Sequence, residues 1–184
     1  MTTRGHNEPA DELRQPLQEL ELAWECADAM RSAANFTDVE INWRRLLSHL
    51  EKVWIKAERV CQPFRNRFEP WQKPFRDLRK NDPLLVYLTQ SRNADLHSVQ
   101  DVPYLSHGTI AFKLGAAVRM QLDLTDPAPV VGPIVNLGVT YDVPLTHLGE
   151  VLRTRDPRVL GVHGCNFYAD YLRQVSDTFF PRAP

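Results

Sequence analysis

The chain has 184 residues, 43% hydrophobic and 24% charged, with a formal net charge of −1; this is the balance of a water-soluble globular protein. Near-neutrality gives no global pull toward nucleic acid or an anionic membrane, and no apolar run approaches the ~20 residues that span a bilayer. The polar, acidic start MTTRGHNEPADEL lacks a signal-peptide core, and Cys26, Cys61 and Cys165 are too few and too scattered for a disulfide framework, so a cytoplasmic protein is expected.

Seven of the eight glycines lie after residue 107. Glycine is disfavoured inside helices, so the first hundred residues are expected to be helical and the remainder to hold turns and strands. A first helix starts near Pro16, with Leu17, Leu20, Ala23, Trp24, Ala27 and Met30 on one stripe. Thr37–Glu40 (TDVE) reads as a capping box opening a long helix that faces Leu46, Leu47, Leu50, Val53, Trp54, Ala57 and Val60 inward. Three prolines in CQPFRNRFEPWQKPF predict a break, with a short helix resuming around Phe75 and Leu78. Asp82-Pro83 is an N-cap followed by proline and starts another helix through LLVYLTQSRNADLH. HGTIAFKL and AVRMQLDL alternate like paired strands around Gly115. DPAPVVGP reads as a loop, IVNLGVTYDVPL as a third strand, and a last helix covers Asp156 to Phe180. The expected architecture is mainly α: a helical region over 1–102, then 103–184 as a small antiparallel β-sheet element plus a closing helix, all in one compact unit.

Common chemistry motifs are absent. There is no Walker A loop, GxGxxG, GxSxG or HExxH, and His163 with Cys165 alone makes a weak metal pair. Neither a metal nor a cofactor is expected. His49, His107, His147 and His163 read as structural.

The stretch SRNADLHSVQ stands apart. On a helix each residue advances about 100°, which puts Asn93 and His97 on one face, with the long Arg92 side chain able to bend toward them. Arginine binds phosphate oxygens through two N–H groups, histidine moves protons near neutral pH, and asparagine can hold the imidazole ring or the phosphate in place. A solvated helix end, with cations placed favourably against the helix dipole, accounts for the same residues without chemistry.

Arg92, Asn93, three residues and His97 near the end of a helix resemble the motif of the HEPN superfamily, an arginine followed by a polar residue and then a histidine within a few positions. The resemblance covers roughly residues 10–100. It implies a helical bundle, a homodimer whose two motifs form one composite site, and a metal-independent endoribonuclease in which the RNA 2′-hydroxyl attacks. Arg92, Asn93 and His97 would be the catalytic set, and an inhibitor or antitoxin protein is a further candidate partner. The alternative is a HEPN-like nucleotide- or RNA-binding or protein-interaction module without cleavage. Leu84, Leu85, Leu88 and Leu96 exceed what one inward stripe needs, which leaves some for burial by a partner chain.

A second stretch points to RNA. Arg65, Arg67, Lys73, Arg76, Arg79 and Lys80 interleave with Phe64, Phe68, Trp71 and Phe75 just before the motif helix. Basic side chains follow a phosphate backbone and aromatic rings stack unpaired bases. Packing of the same rings in the core is the competing reading.

Overall fold

The structure is a computed structural model and describes residues 11–97, 103–106, 109–114, 118–123, 128–136 and 138–181. Its first two long helices, α1 (Arg14–Arg31) and α2 (Phe36–Val60), form a helical hairpin. The predicted stripes meet there: Leu20, Ala23, Ala27 and Met30 are buried on α1, and Leu46, Leu47, Leu50, Val53, Trp54 and Ala57 on α2. The α1 stripe also buries a charge. The Glu19 carboxylate bonds His49 Nδ1 at 2.6 Å and Lys56 Nζ at 2.7 Å. Burial alone would raise this carboxyl; the Lys56 and His49 bonds outweigh it and hold it below the ordinary carboxylate value.

The capping box is corrected by two residues. Asn35 is the N-cap: its Oδ1 accepts the Asp38 N–H at 2.9 Å and its Nδ2 donates to Asp38 Oδ2 at 2.8 Å. Asparagine outranks threonine as a cap, and starting there adds hydrogen-bonded residues to α2. Glu40 pairs with Arg44 instead.

The predicted proline break is also corrected. Only Pro63 interrupts, in a 3-10 turn, and α3 (Arg65–Asn81) runs through Pro70 and Pro74. Each internal proline removes one helical hydrogen bond, so tertiary packing must outweigh the loss. Phe64, Phe68, Trp71, Phe75 and Leu78 recur at helical spacing and all pack against the core. Their partners lie on the closing helix, α5 (Pro157–Phe179): Trp71 meets Phe179 at 5.2 Å between ring centroids and Phe75 meets Tyr171 at 5.1 Å. The aromatic rings of this stretch therefore serve the core.

Between α3 and α5 come α4 (Pro83–His97) and the strands β1 (Pro103–Ser106), β2 (Thr109–Leu114), β3 (Val118–Asp123), β4 (Ala128–Val131), β5 (Ile134–Asn136), β6 (Val139–Tyr141), β7 (Thr146–His147) and β8 (Glu150–Val151). All described pairings are antiparallel and two-stranded. The β2–β3 hairpin is as predicted, with Gly115 outside the described residues, and is nested inside the β1–β4 pair. Two predictions are corrected here. The DPAPVVGP segment contributes β4 instead of only a loop, because β1 offers it a pairing edge. The single strand IVNLGVTYDVPL is a hairpin, β5–β6, turned at Gly138, whose φ of 78° is open to glycine at little cost. His107 lies outside the described residues.

α5 returns to the helical part and packs on α1 and α2. It approaches closely because it carries glycine at the contact: a Cβ on Gly164 would stand 2.8 Å from Leu88 Cδ1 and 3.0 Å from Leu50 Cδ1. Cys26, Cys61 and Cys165 are buried free thiols, and burial pushes Cys61 and Cys165 up to about 12. Among the described residues no helix is long and apolar enough to cross a membrane.

The β7–β8 hairpin turns on Leu148 and Gly149, both left-handed, at φ 50° and 85°. A two-residue turn with positive φ at both positions favours Asn-Gly. Leu148 is largely exposed, so little packing is lost on replacing it. Leu148→Asn is expected to raise stability by about 0.5–1 kcal/mol, read as an increase in Tm.

Candidate functional site

The motif helix is anchored at its start. Asp82 Oδ1 accepts the Leu85 N–H at 3.0 Å, and Pro83 takes the first helical position, where no N–H is required. The backbone stays helical through His97, which places Asn93 and His97 one turn apart on one face. Arg92 and Asn93 are half-buried, and Arg92 Nη1 donates to Asn93 Oδ1 at 3.2 Å. The side chains of Asp95, Leu96 and His97 lie outside the described residues.

Local bonds hold this turn of α4. Ser91 is fully buried and its Oγ donates to Tyr87 O at 2.8 Å. The Tyr87 hydroxyl donates to Gly132 O at 2.6 Å, and Asn136 Nδ2 donates to Gln90 Oε1 at 2.8 Å. The β4–β5 connection and β5 thus brace the helix that carries Arg92 and Asn93. Leu84, Leu85 and Leu88 are all buried inside the chain, because α4 is covered by α2, α3 and α5 on some sides and by β5 and β7 on others. Leu84, Leu85 and Leu88 are thus buried without a partner chain, which corrects their assignment to one, while the side chain of Leu96 lies outside the described residues.

The six basic residues of α3 divide. On an ideal helix Arg65, Lys73, Arg76, Arg79 and Lys80 fall within roughly 120° of one another, with Arg67 on the other side. Arg67 sits 5.8 Å from the Phe179 ring centroid. Arg65 pairs with Glu69 and Lys73 with Asp77, each at 2.6 Å, while Arg76 Nη2 donates to Glu69 O at 2.9 Å and Lys80 is exposed. Arg79 turns inward: its Nη2 donates to Glu51 Oε2 at 2.6 Å and its guanidinium lies 4.4 Å from the Trp54 ring centroid. Arg65, Lys73, Arg76 and Lys80 therefore form a basic stripe open to solvent, interrupted by Glu69 and Asp77. Arg79 belongs to the core.

A second cluster joins three elements distant in sequence. The Asp82 carboxylate is buried and receives three contacts: the Leu85 N–H, the Leu148 N–H at 2.6 Å on Oδ2, and His147 Nδ1 at 2.9 Å on Oδ1. Two are backbone donors, which suits an ionised, acceptor-only carboxylate, so the proton of the His147–Asp82 bond sits on Nδ1 and Nε2 is left free. The His147 ring stands edge-on to His163 of α5, 5.8 Å between centroids. The sequence offered the Asp82 cap but no local sign that its further partner lies 65 residues on. Among the described residues no group of three or more His, Cys, Asp or Glu side chains is arranged to hold a metal ion.

Comparison with protein-family models, with curated proteins and with solved structures finds no match for the chain.

Proposed function

We infer that the chain is a HEPN-like endoribonuclease that cuts RNA without a metal at Arg92, Asn93 and His97. The observation that carries this reading is the half-buried Arg92–Asn93 pair on a helix that continues one more turn to His97. In this chemistry the 2′-hydroxyl attacks the adjacent phosphorus and loses its proton, the bond to the 5′-oxygen breaks, and a cyclic phosphate and a 5′-hydroxyl remain. The Arg92 guanidinium stabilises charge building on the phosphate oxygens, Asn93 orients that guanidinium, and His97 transfers a proton. One Arg and one His are few for a step that needs both an acid and a base, and a two-fold dimer supplies a second set. The solvent-facing stripe of Arg65, Lys73, Arg76 and Lys80 offers a track for the RNA backbone.

The test is cleavage of a labelled single-stranded RNA in EDTA. Arg92→Ala and His97→Ala are each expected to lower the rate by about a hundredfold or more, and mixing the two variants to restore part of it through a composite site. Light scattering is expected to give twice the 21.2 kDa chain mass. Undiminished cleavage by the double variant would discard the assignment. RNA binding with a salt-dependent affinity but no cleavage would favour the binding-module alternative.

A further inference from the structure

A cavity of about 250 Å³ lies between the end of α2 and α3, lined by Glu58, Arg65, Phe68, Glu69, Gln72 and Arg76 among others. On α3 the spacing i, i+4, i+7 and i+11 puts Arg65, Glu69, Gln72 and Arg76 on one face. Gln72 is only 2% exposed, and its Nε2 is fully used: it donates to Glu58 Oε1 at 3.2 Å and to the Tyr171 hydroxyl at 3.0 Å. The carboxylate accepts only, which fixes the nitrogen end of the amide. Gln72 Oε1 makes no hydrogen bond to any described residue, yet it is not an enclosed atom. The small part of Gln72 that meets open space therefore includes this oxygen, and the open space beside it is the cavity. The second Glu58 oxygen likewise has no hydrogen bond or ion pair among the described residues.

We propose that this cavity is a guanine site: the base enters with its N1–H and N2 amino group toward Glu58 and Gln72 Oε1, and its nucleotide phosphate reaches Arg76 at the mouth. The guanine belongs either to a free mononucleotide or to single-stranded RNA on the basic stripe that includes Arg65 and Arg76. Only the RNA case rests on the function proposed above, and the α4 motif takes no part in the site.

Unused acceptors on two side chains bonded to each other match a ligand with neighbouring N–H donors. Guanine is the standard base that carries two adjacent donors on its pairing edge. Adenine and cytosine place an acceptor nitrogen beside their amino group, and uracil flanks its single N–H with two carbonyl oxygens. Each of these would set an acceptor against the carboxylate. An ammonium or guanidinium ligand also donates, but Arg65 and Arg76 oppose a cation here. The two arginines differ in what they have left to give. Arg65 is paired with the Glu69 carboxylate at 2.6 Å, whereas Arg76 hydrogen-bonds only the Glu69 carbonyl, at 2.9 Å. Its remaining N–H groups suit a phosphate oxygen. The cavity is smaller than the pockets that enclose drug-sized molecules, so it takes the base and leaves ribose and phosphate at the mouth. Reading the edge of an unpaired base in this way is the usual route to sequence preference on single-stranded RNA.

The experiment is calorimetric titration of the full chain with guanosine and adenosine 5′-monophosphate. Oligouridines carrying one central guanine or one central adenine are titrated into the Arg92→Ala chain, so that cleavage does not enter the reading. The guanine ligand of each pair is expected to bind about tenfold more tightly. Glu58→Gln keeps an oxygen for Gln72 Nε2 but replaces the free acceptor by an N–H donor, and is expected to remove the preference by lowering guanine affinity about tenfold. Circular dichroism checks its fold. Arg76→Ala, on a solvent-facing side chain, is expected to weaken both mononucleotides about tenfold and to leave the preference in place, which keeps the site testable if Glu58→Gln does not fold. Guanine RNA bound more tightly than the mononucleotide assigns RNA as the ligand, and equal or weaker binding assigns the free nucleotide. No guanine preference in either pair would overturn the proposal. So would tighter binding of argininamide, since the cavity would then take a cation. None of these readings uses cleavage, so an inactive chain with a guanine preference discards the proposed reaction and leaves the site standing.

Discussion

Asp82→Ala is expected to lower the unfolding free energy by about 3–5 kcal/mol, one of two large losses expected from truncating a charged side chain in this chain. Three donors converge on this carboxylate from α4 and β7–β8. Removing it uncaps α4, costing about 0.5–2 kcal/mol. It also leaves the His147 Nδ1–H without a partner in a buried place, at about 1–3 kcal/mol, and the Leu148 N–H without one in a partly buried place at a smaller cost, and partial relaxation of the hairpin keeps the total below the full sum. Asp82→Asn retains an oxygen for the cap and is expected to cost about half as much, because an amide cannot serve all three donors. Urea denaturation checks both. A midpoint for Asp82→Ala within error of the parent protein would show that the hairpin is held by other contacts.

Arg79→Ala is the second. Although Arg79 reads in sequence as one of a run of RNA-contacting cations, its guanidinium is largely enclosed, paired with Glu51 at 2.6 Å and stacked at 4.4 Å over Trp54. Truncation strands the partly buried Glu51 carboxylate and strips packing from Trp54 and Tyr168, an expected loss of about 3–5 kcal/mol. Arg79→Met keeps the apolar stem and is expected to recover part of it. By contrast, Arg65→Ala, Lys73→Ala, Arg76→Ala and Lys80→Ala remove solvent-facing charges and are expected to change stability by about 0.5 kcal/mol or less each. If the stripe binds RNA, the combined substitution flattens the salt dependence of binding while leaving the fold intact. Thermal melts of the single variants separate the two kinds of arginine: an Arg79→Ala melt indistinguishable from that of Arg65→Ala would refute the inward role.

Where structure is specified by neighbours along the chain, the sequence was enough. The apolar spacing of α1, α2 and α5, the Asp82-Pro83 start of α4, the β2–β3 alternation and the glycine-poor first hundred residues all act over one or two turns or one hairpin, where side-chain periodicity and caps decide. The Arg92-Asn93-x-x-x-His97 spacing is legible on the same grounds, since a helix alone puts Asn93 and His97 on one face. Misreadings arose where two local signals competed, as with Asn35 against Thr37, or where distant packing overruled a local preference. Pro70 and Pro74 argue against a helix, yet the aromatic stripe of α3 finds Tyr171 and Phe179 on α5, and that burial outweighs two missing hydrogen bonds. Leu84, Leu85 and Leu88 look in excess of one stripe until α2, α3, α5, β5 and β7 close around α4 and bury all three. The direction of Arg79, the pairing of β1 with β4 and the meeting of Asp82, His147 and His163 depend on contacts between residues up to 89 positions apart, the separation of Arg79 and Tyr168. No periodicity or cap records such contacts, because they form only when the whole core closes.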